Sequence, residues 1–153
     1  NIMKGYWNKA EQTAAVLKGG GYWTGDLGYL DTEGYLFLVD RSKDMIVSGG
    51  ENVYSTEVED ILYKFPGVLE AAVFGVPDQK WGEAVYAVVV PRPDATDVTP
   101  EALIAFCREH IGGYKVPKGI DIQSEPLPKS GPGKVLKREL RAPFWAATDR
   151  SVN

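Results

Sequence analysis

Apolar positions along the chain follow two rhythms. Val68–Val76 and Ala84–Val90 are nearly continuous apolar runs, rich in valine and alanine and separated by the polar segment Pro77–Glu83. They predict two strands of one small sheet joined by an exposed loop. After Ser55, placed to cap a helix, Val58, Ile61, Leu62 and Phe65 recur at helical spacing until Pro66-Gly67 ends the pattern. A second helical stripe, Leu103, Phe106, Cys107, His110 and Ile111, is opened by Thr99-Pro100-Glu101 and closed by Gly112-Gly113. Upstream, Tyr22–Leu30 reads as strand and turn, Asp31-Thr32-Glu33-Gly34 as a polar turn and Tyr35–Asp40 as a strand. Asn8, a capping residue with Glu11 three positions on, predicts a short helix to about Leu17, stopped by Gly19-Gly20-Gly21. Ile120-Asp121-Ile122 alternates like an edge strand, and Val135–Leu140 starts a last short helix, with Lys134 at its N-terminus. From Ala146 no pattern remains, which predicts a disorder-prone tail.

The stretch from Tyr35 to Asn52 breaks this regularity. Apolar runs Tyr35–Val39 and Met45–Val47 flank the charged break Asp40-Arg41-Ser42-Lys43-Asp44 and lead into Gly49-Gly50. Taken alone, this is a hairpin with a solvated bend. Adjacent glycines also allow positive φ and let another molecule approach the backbone, since no Cβ intervenes.

Composition narrows the classes. At 153 residues the chain suits one ordinary soluble domain, and its net charge of -4 offers no basic field for a nucleic acid. From Lys115 onward, Lys and Arg outnumber Asp and Glu by eight to four, which suits a phosphorylated ligand or simply a solvated helix face. Cys107 is the single cysteine, so no intrachain disulfide forms and the reducing cytoplasm is the natural compartment. Cys107 and His110 share a helix face, but no second ligand pair accompanies them; core packing is expected and a metal site is not. No apolar run approaches the ~20 residues needed to span a bilayer, and the N-terminus lacks a signal-peptide pattern, leaving only peripheral membrane contact open.

Three blocks carry chemistry: Tyr22-Trp23-Thr24-Gly25-Asp26-Leu27-Gly28, the stretch from Asp40 to Asn52, and Pro128-Lys129-Ser130-Gly131-Pro132-Gly133-Lys134 with Val135–Leu140 after it. With Val39-Asp40-Arg41 and Tyr114-Lys115-Val116-Pro117 between them, the three together closely resemble the C-terminal signatures of the adenylate-forming superfamily, specifically the fatty acyl-CoA synthetases. The resemblance covers nearly the whole chain. It implies an α+β fold: residues 1–40 are the β-rich tail of a large N-terminal domain, 41–145 a small C-terminal lid with a mixed sheet flanked by helices, and 146–153 a tail. The chain begins inside an ongoing fold and is expected to be a fragment, inactive by itself, whose partner is the N-terminal domain of the same protein. The implied reaction joins a fatty acid to CoA at the expense of ATP, with Mg2+ accompanying ATP; a long-chain acid is expected, an aryl acid next.

The resemblance also assigns roles. Asp26 holds the ribose of the nucleotide, which two carboxylate oxygens suit chemically, although an Asp after Thr-Gly also closes turns on its own backbone. Arg41 reaches the nucleotide; alone it reads equally as a surface ion-pair partner. Lys43 is the hinge about which the lid swings, and an exposed turn lysine would look the same. Gly49, Gly50, Glu51 and Asn52 line the channel for the pantetheine arm of CoA, with Lys115 and Lys118 near its phosphates. Trp81 packs against CoA, where a plain reading makes it a cover over the sheet. Lys134 is the catalytic lysine that bridges carboxylate and phosphate; unaided, it is a loop lysine, and the spacing of a Walker phosphate loop is absent. Two other readings stay open, an adenylation domain loading a carrier protein and a CoA-binding or docking module without catalysis.

Overall fold

The two valine-rich runs form the long antiparallel pair at the centre of the fold. In the computed structural model, which describes residues 2–146, β7 (Val68–Asp78) pairs with β8 (Gly82–Pro91) from Val68↔Pro91 to Asp78↔Gly82, with a bulge between Val68 and Glu70. Ahead of them lie β5 (Ile46–Ser48), β6 (Glu51–Val53) and helix α2 (Ser55–Lys64); after them come α3 (Pro100–His110), β9 (Gly119–Ile122) and α4 (Lys137–Ala146). The five-stranded sheet has the order β6-β5-β8-β7, and β9 runs parallel to β8, so it is a mixed sheet. Its central strands are apolar without alternation because both faces are covered. Val73, Val85, Ala87 and Val89 face Val58, Leu62, Leu103 and Cys107 of α2 and α3. Ala72, Phe74, Ala84 and Val88 face the other way, towards Leu127 and the Leu140 and Phe144 side chains of α4. Helices thus flank a small sheet, the α+β fold expected from the sequence.

The chain divides into two compact units, one up to Lys43 and the other from Asp44 on. The first contains α1 (Ala10–Val16), the minimal hairpin of β1 (Leu17–Lys18) and β2 (Gly21–Tyr22), and the ribbon of β3 (Asp26–Leu30) and β4 (Leu36–Arg41). The turn of the ribbon is the expected polar one: Asp31 Oδ1 accepts from the amides of Glu33 and Tyr35 at 2.9 and 2.8 Å. At Gly28 a side chain is excluded outright, since a Cβ there would meet the Phe37 carbonyl at 2.5 Å.

Several expected details are overturned. Val39 and Met45 do not flank a hairpin: β4 pairs with β3, whereas β5 pairs with β6 and β8 in the other unit. The charged break is a connector because each apolar run finds a different partner sheet. Asn8 does not cap α1; it has a φ of 53°, Lys9 takes the capping position, and Thr13 bonds to the Lys9 carbonyl and the Tyr6 amide instead. Gly19 and Gly20 do more than stop the helix, for they form the turn between β1 and β2. Ser55 is the first residue of α2 rather than its cap, and its Oγ accepts from the Lys137 ammonium at 2.7 Å. The last helix begins at Lys137, beyond Lys134. Thr99 does cap α3, accepting from the Ala102 amide at 3.2 Å. The tail from residue 147 lies outside the described residues.

Candidate functional site

Gly49 and Gly50 form the two-residue turn between β5 and β6, with φ of 61° and 88°. Both positive values are those of a hairpin turn whose twist matches its strands, and glycine adopts them without steric cost. The Gly49 amide donates to the Trp81 carbonyl at 2.8 Å, and the Trp81 ring lies over the glycine so closely that a Cβ would sit 2.7 Å from it. Trp81 is itself held in a tight turn, because Asp78 Oδ1 accepts from the amides of Lys80 and Trp81 at 2.8 Å. Beside this contact opens a cavity of about 310 Å³ lined by Ser48, Gly49, Glu51, Trp81, Gly113, Tyr114 and Lys118.

Four residues singled out in the sequence, Gly49, Glu51, Trp81 and Lys118, therefore converge on one cavity. Gly50 and Asn52 belong to the same hairpin but not to the lining. Lys115 is committed elsewhere: its ammonium lies 2.7 Å from both Glu57 carboxylate oxygens, and that bond raises its pKa against the opposing effect of burial. Tyr114 was missed as a lining residue, although it opens the Tyr-Lys-Val-Pro block; its phenol ring gives no signal in a sequence until the fold brings it beside Trp81.

Lys134 lies in a closed loop. The Ser130 amide donates to the Lys134 carbonyl at 2.8 Å, the Gly133 amide to the Ser130 carbonyl at 2.8 Å, and the Lys134 amide to Ser130 Oγ at 3.2 Å, above a bridge between Lys129 and Val135. The expected position at a helix N-terminus is thereby corrected: the backbone amide of Lys134 is spent inside the loop, and Lys137 is the first helical residue. Its side chain is exposed and has no ion-pair partner among the described residues.

In the first unit, Asp26 and Arg41 stand opposite each other on β3 and β4, with Arg41 Nε 3.4 Å from Asp26 Oδ1. At that exposure the pair contributes under about 1 kcal/mol. The carboxylate of Asp26 does not close the turn; Thr24 Oγ1 does, accepting the Asp26 amide at 3.0 Å. Lys43 is exposed and is the last residue of this unit. Cys107 is fully buried, and burial pushes its thiol up to about 11. His110 is exposed with Nδ1 2.8 Å from the Phe106 carbonyl. Among the described residues no group of three or more His, Cys, Asp and Glu is arranged to hold a metal ion, and no helix is long and apolar enough to cross a membrane.

The mixed sheet flanked by helices matches the C-terminal domain of adenylate-forming enzymes. The chain belongs to the AMP-binding enzyme C-terminal domain family, whose profile matches residues 57–134. It is 50% identical to a feruloyl-CoA synthase of Amycolatopsis over 94% of its own length and 29% of that protein. It is also 50% identical to a long-chain-fatty-acid–CoA ligase of Bacillus subtilis, over 91% of this chain and 24% of the relative. Among solved structures it resembles ATP-bound MatB from Rhodopseudomonas palustris, with a TM-score of 0.84, 37% identity and coverage of 94% of this chain and 28% of that one. It likewise resembles an o-succinylbenzoate CoA synthetase of Bacillus subtilis holding its acyl-adenylate intermediate, with a TM-score of 0.83, 37% identity and coverage of 100% and 30%. The chain thus spans under a third of the length of these relatives.

Proposed function

We propose that the chain is the C-terminal part of an AMP-forming acyl-CoA ligase, and that Lys134 is its catalytic residue in adenylation. The observation that carries this reading is the exposed Lys134 ammonium, unpaired among the described residues, on a loop closed by its own hydrogen bonds. Attack of a carboxylate on the α-phosphate of ATP brings two anions together as pyrophosphate leaves. A cation between them lowers their repulsion and aligns the in-line displacement. Asp26 accepts the ribose hydroxyls, Arg41 reaches the nucleotide from the opposite strand, and Mg2+ arrives with the triphosphate as part of the substrate.

In the second half-reaction the CoA thiol attacks the acyl-adenylate and AMP leaves. The cavity beside Gly49 and Trp81 takes the pantetheine arm, Gly50, Glu51 and Asn52 shape its entrance, and Lys118 meets a phosphate. Lys115 would reach a phosphate only by loosening from Glu57. The two half-reactions use different faces of the lid, and Lys43, where the two units meet in sequence, is the hinge. Residues 1–40 belong to the large N-terminal domain, which is the partner of the lid. None of the described residues of the first unit is buried, and Trp23, Tyr29, Leu36 and Phe37 are all exposed, an apolar surface that such a partner would cover. The acid we assign is a long-chain fatty acid; an aryl acid is the second reading, favoured by the feruloyl-CoA synthase being as similar as the fatty-acid ligase. The lone buried thiol fits a cytoplasmic enzyme.

The test is Lys134→Ala in the full-length protein. Acyl-adenylate formation, followed by pyrophosphate exchange, falls by roughly a hundredfold or more, while thioester formation from supplied acyl-adenylate is largely kept. Unchanged exchange would remove the basis of the proposal.

A further inference from the structure

Between Gly131 and Gly133 the loop carrying Lys134 is exposed, and a Cβ built on either glycine meets nothing within 4 Å. Among the described residues nothing lies against either glycine of the tip, so its direction is set where the loop enters and leaves. Both ends are tied by carboxylates of the second unit. On the entering side, Glu70 of β7 accepts from the Leu127 amide at 2.9 Å with one oxygen and pairs with the Lys129 ammonium through the other. On the leaving side, the Lys137 ammonium lies 2.7 Å from Glu59 Oε1, which also accepts the Val73 amide at 2.8 Å. The side chains of Glu59 and Lys137 are both 15% exposed, so salt screens that pair less than the Glu70 pair, whose Lys129 side chain is 40% exposed.

We propose that Glu70 and Glu59 are positioning residues for Lys134, holding the two ends of its loop to β7 and α2 through Lys129 and Lys137. This rests on the reading of Lys134 as the adenylation lysine. The apolar anchors of the same strap, Leu127 and Val135, set how deeply it lies on the sheet. Hydrophobic contact is non-directional. A carboxylate bonded at once to a backbone amide and to an ammonium fixes direction as well, because charge-assisted hydrogen bonds are short and angular. Glu59 is itself fixed by the Val73 amide, so its tie transmits the position of the sheet rather than that of a mobile side chain.

The effect belongs to adenylation alone. Misplacing a reacting group by about 1 Å can cost roughly a hundredfold, whereas the lining of the cavity at Gly49 and Trp81 includes no residue of β7, α2 or the Lys134 loop. In the full-length protein, Glu70→Gln is expected to lower kcat for pyrophosphate exchange roughly ten- to a hundredfold, with KM for ATP little changed and thioester formation from supplied acyl-adenylate intact. Glu70→Asp, which keeps the charge, recovers part of the loss. Lys129→Gln, which leaves the Leu127 bond in place, gives the same split, and carries the test if Glu70→Gln does not fold. Equal loss in both half-reactions for Lys129→Gln, or no loss in either, would overturn the proposal. Lys134→Ala is measured alongside: if it too leaves exchange unchanged, the underlying reading fails, and if it alone abolishes exchange, only the positioning role does.

Discussion

Gly49 carries two demands at once, a φ of 61° and a tryptophan ring where its side chain would be. The positive φ alone costs an L-residue about 1–2 kcal/mol, and a shift of 1.4 kcal/mol is about tenfold in an equilibrium. Gly49→Ala in the full-length protein is therefore expected to push Trp81 off its seat and raise KM for CoA roughly tenfold or more, with pyrophosphate exchange unaffected. Gly50→Ala, with open space around its Cβ, should act more weakly; equal effects of the two would show that the tryptophan contact does not matter. At this scale the sequence marked the glycine pair and the tryptophan separately. That they touch depended on β5 and β8 meeting at Ser48↔Gly82, a pairing that periodicity does not encode.

Two capping residues show how far an element can be read locally. Thr99 is followed by proline at the first helical position, and its Oγ1 takes the Ala102 amide as expected. Thr99→Ala should lower stability by about 1 kcal/mol, seen in urea unfolding as a lower midpoint with an unchanged slope; a change of slope would point to a wider rearrangement. Ser55 has the same local credentials but is drawn into the helix, where its hydroxyl serves Lys137. A partner 82 positions away decided the matter. The same competition moved the start of α4: the loop from Ser130 to Lys134 satisfies its own amides, so the helix begins only after it closes.

The two units differ in what they can do alone. From Asp44 onward there is a core, with Val53, Val58, Leu62, Val73, Val89 and Leu103 fully or almost fully buried. Up to Lys43 there is a two-stranded ribbon bearing stacked Tyr29 and Phe37 rings 5.2 Å apart, with no buried residue among those described. A ribbon of two strands is marginal by itself. The chain alone is accordingly expected to give no pyrophosphate exchange with any acid, since it spans under a third of its relatives; exchange above background by the purified chain would contradict the division of labour proposed.

What the amino-acid sequence determined by itself was whatever rests on near neighbours: the two buried strands, the stripes of α2 and α3, the Asp31 turn and the glycine pair. Side-chain period and backbone permissiveness are local properties, and they survive any packing that buries the same face. The tertiary structure alone decided which strands meet, that Lys115 is spent on Glu57, and that the loop of Lys134 is tied to Glu70 and Glu59. The charge ties join residues more than 50 positions apart, and pairing of separated charges is set by how elements stack, which no local pattern records.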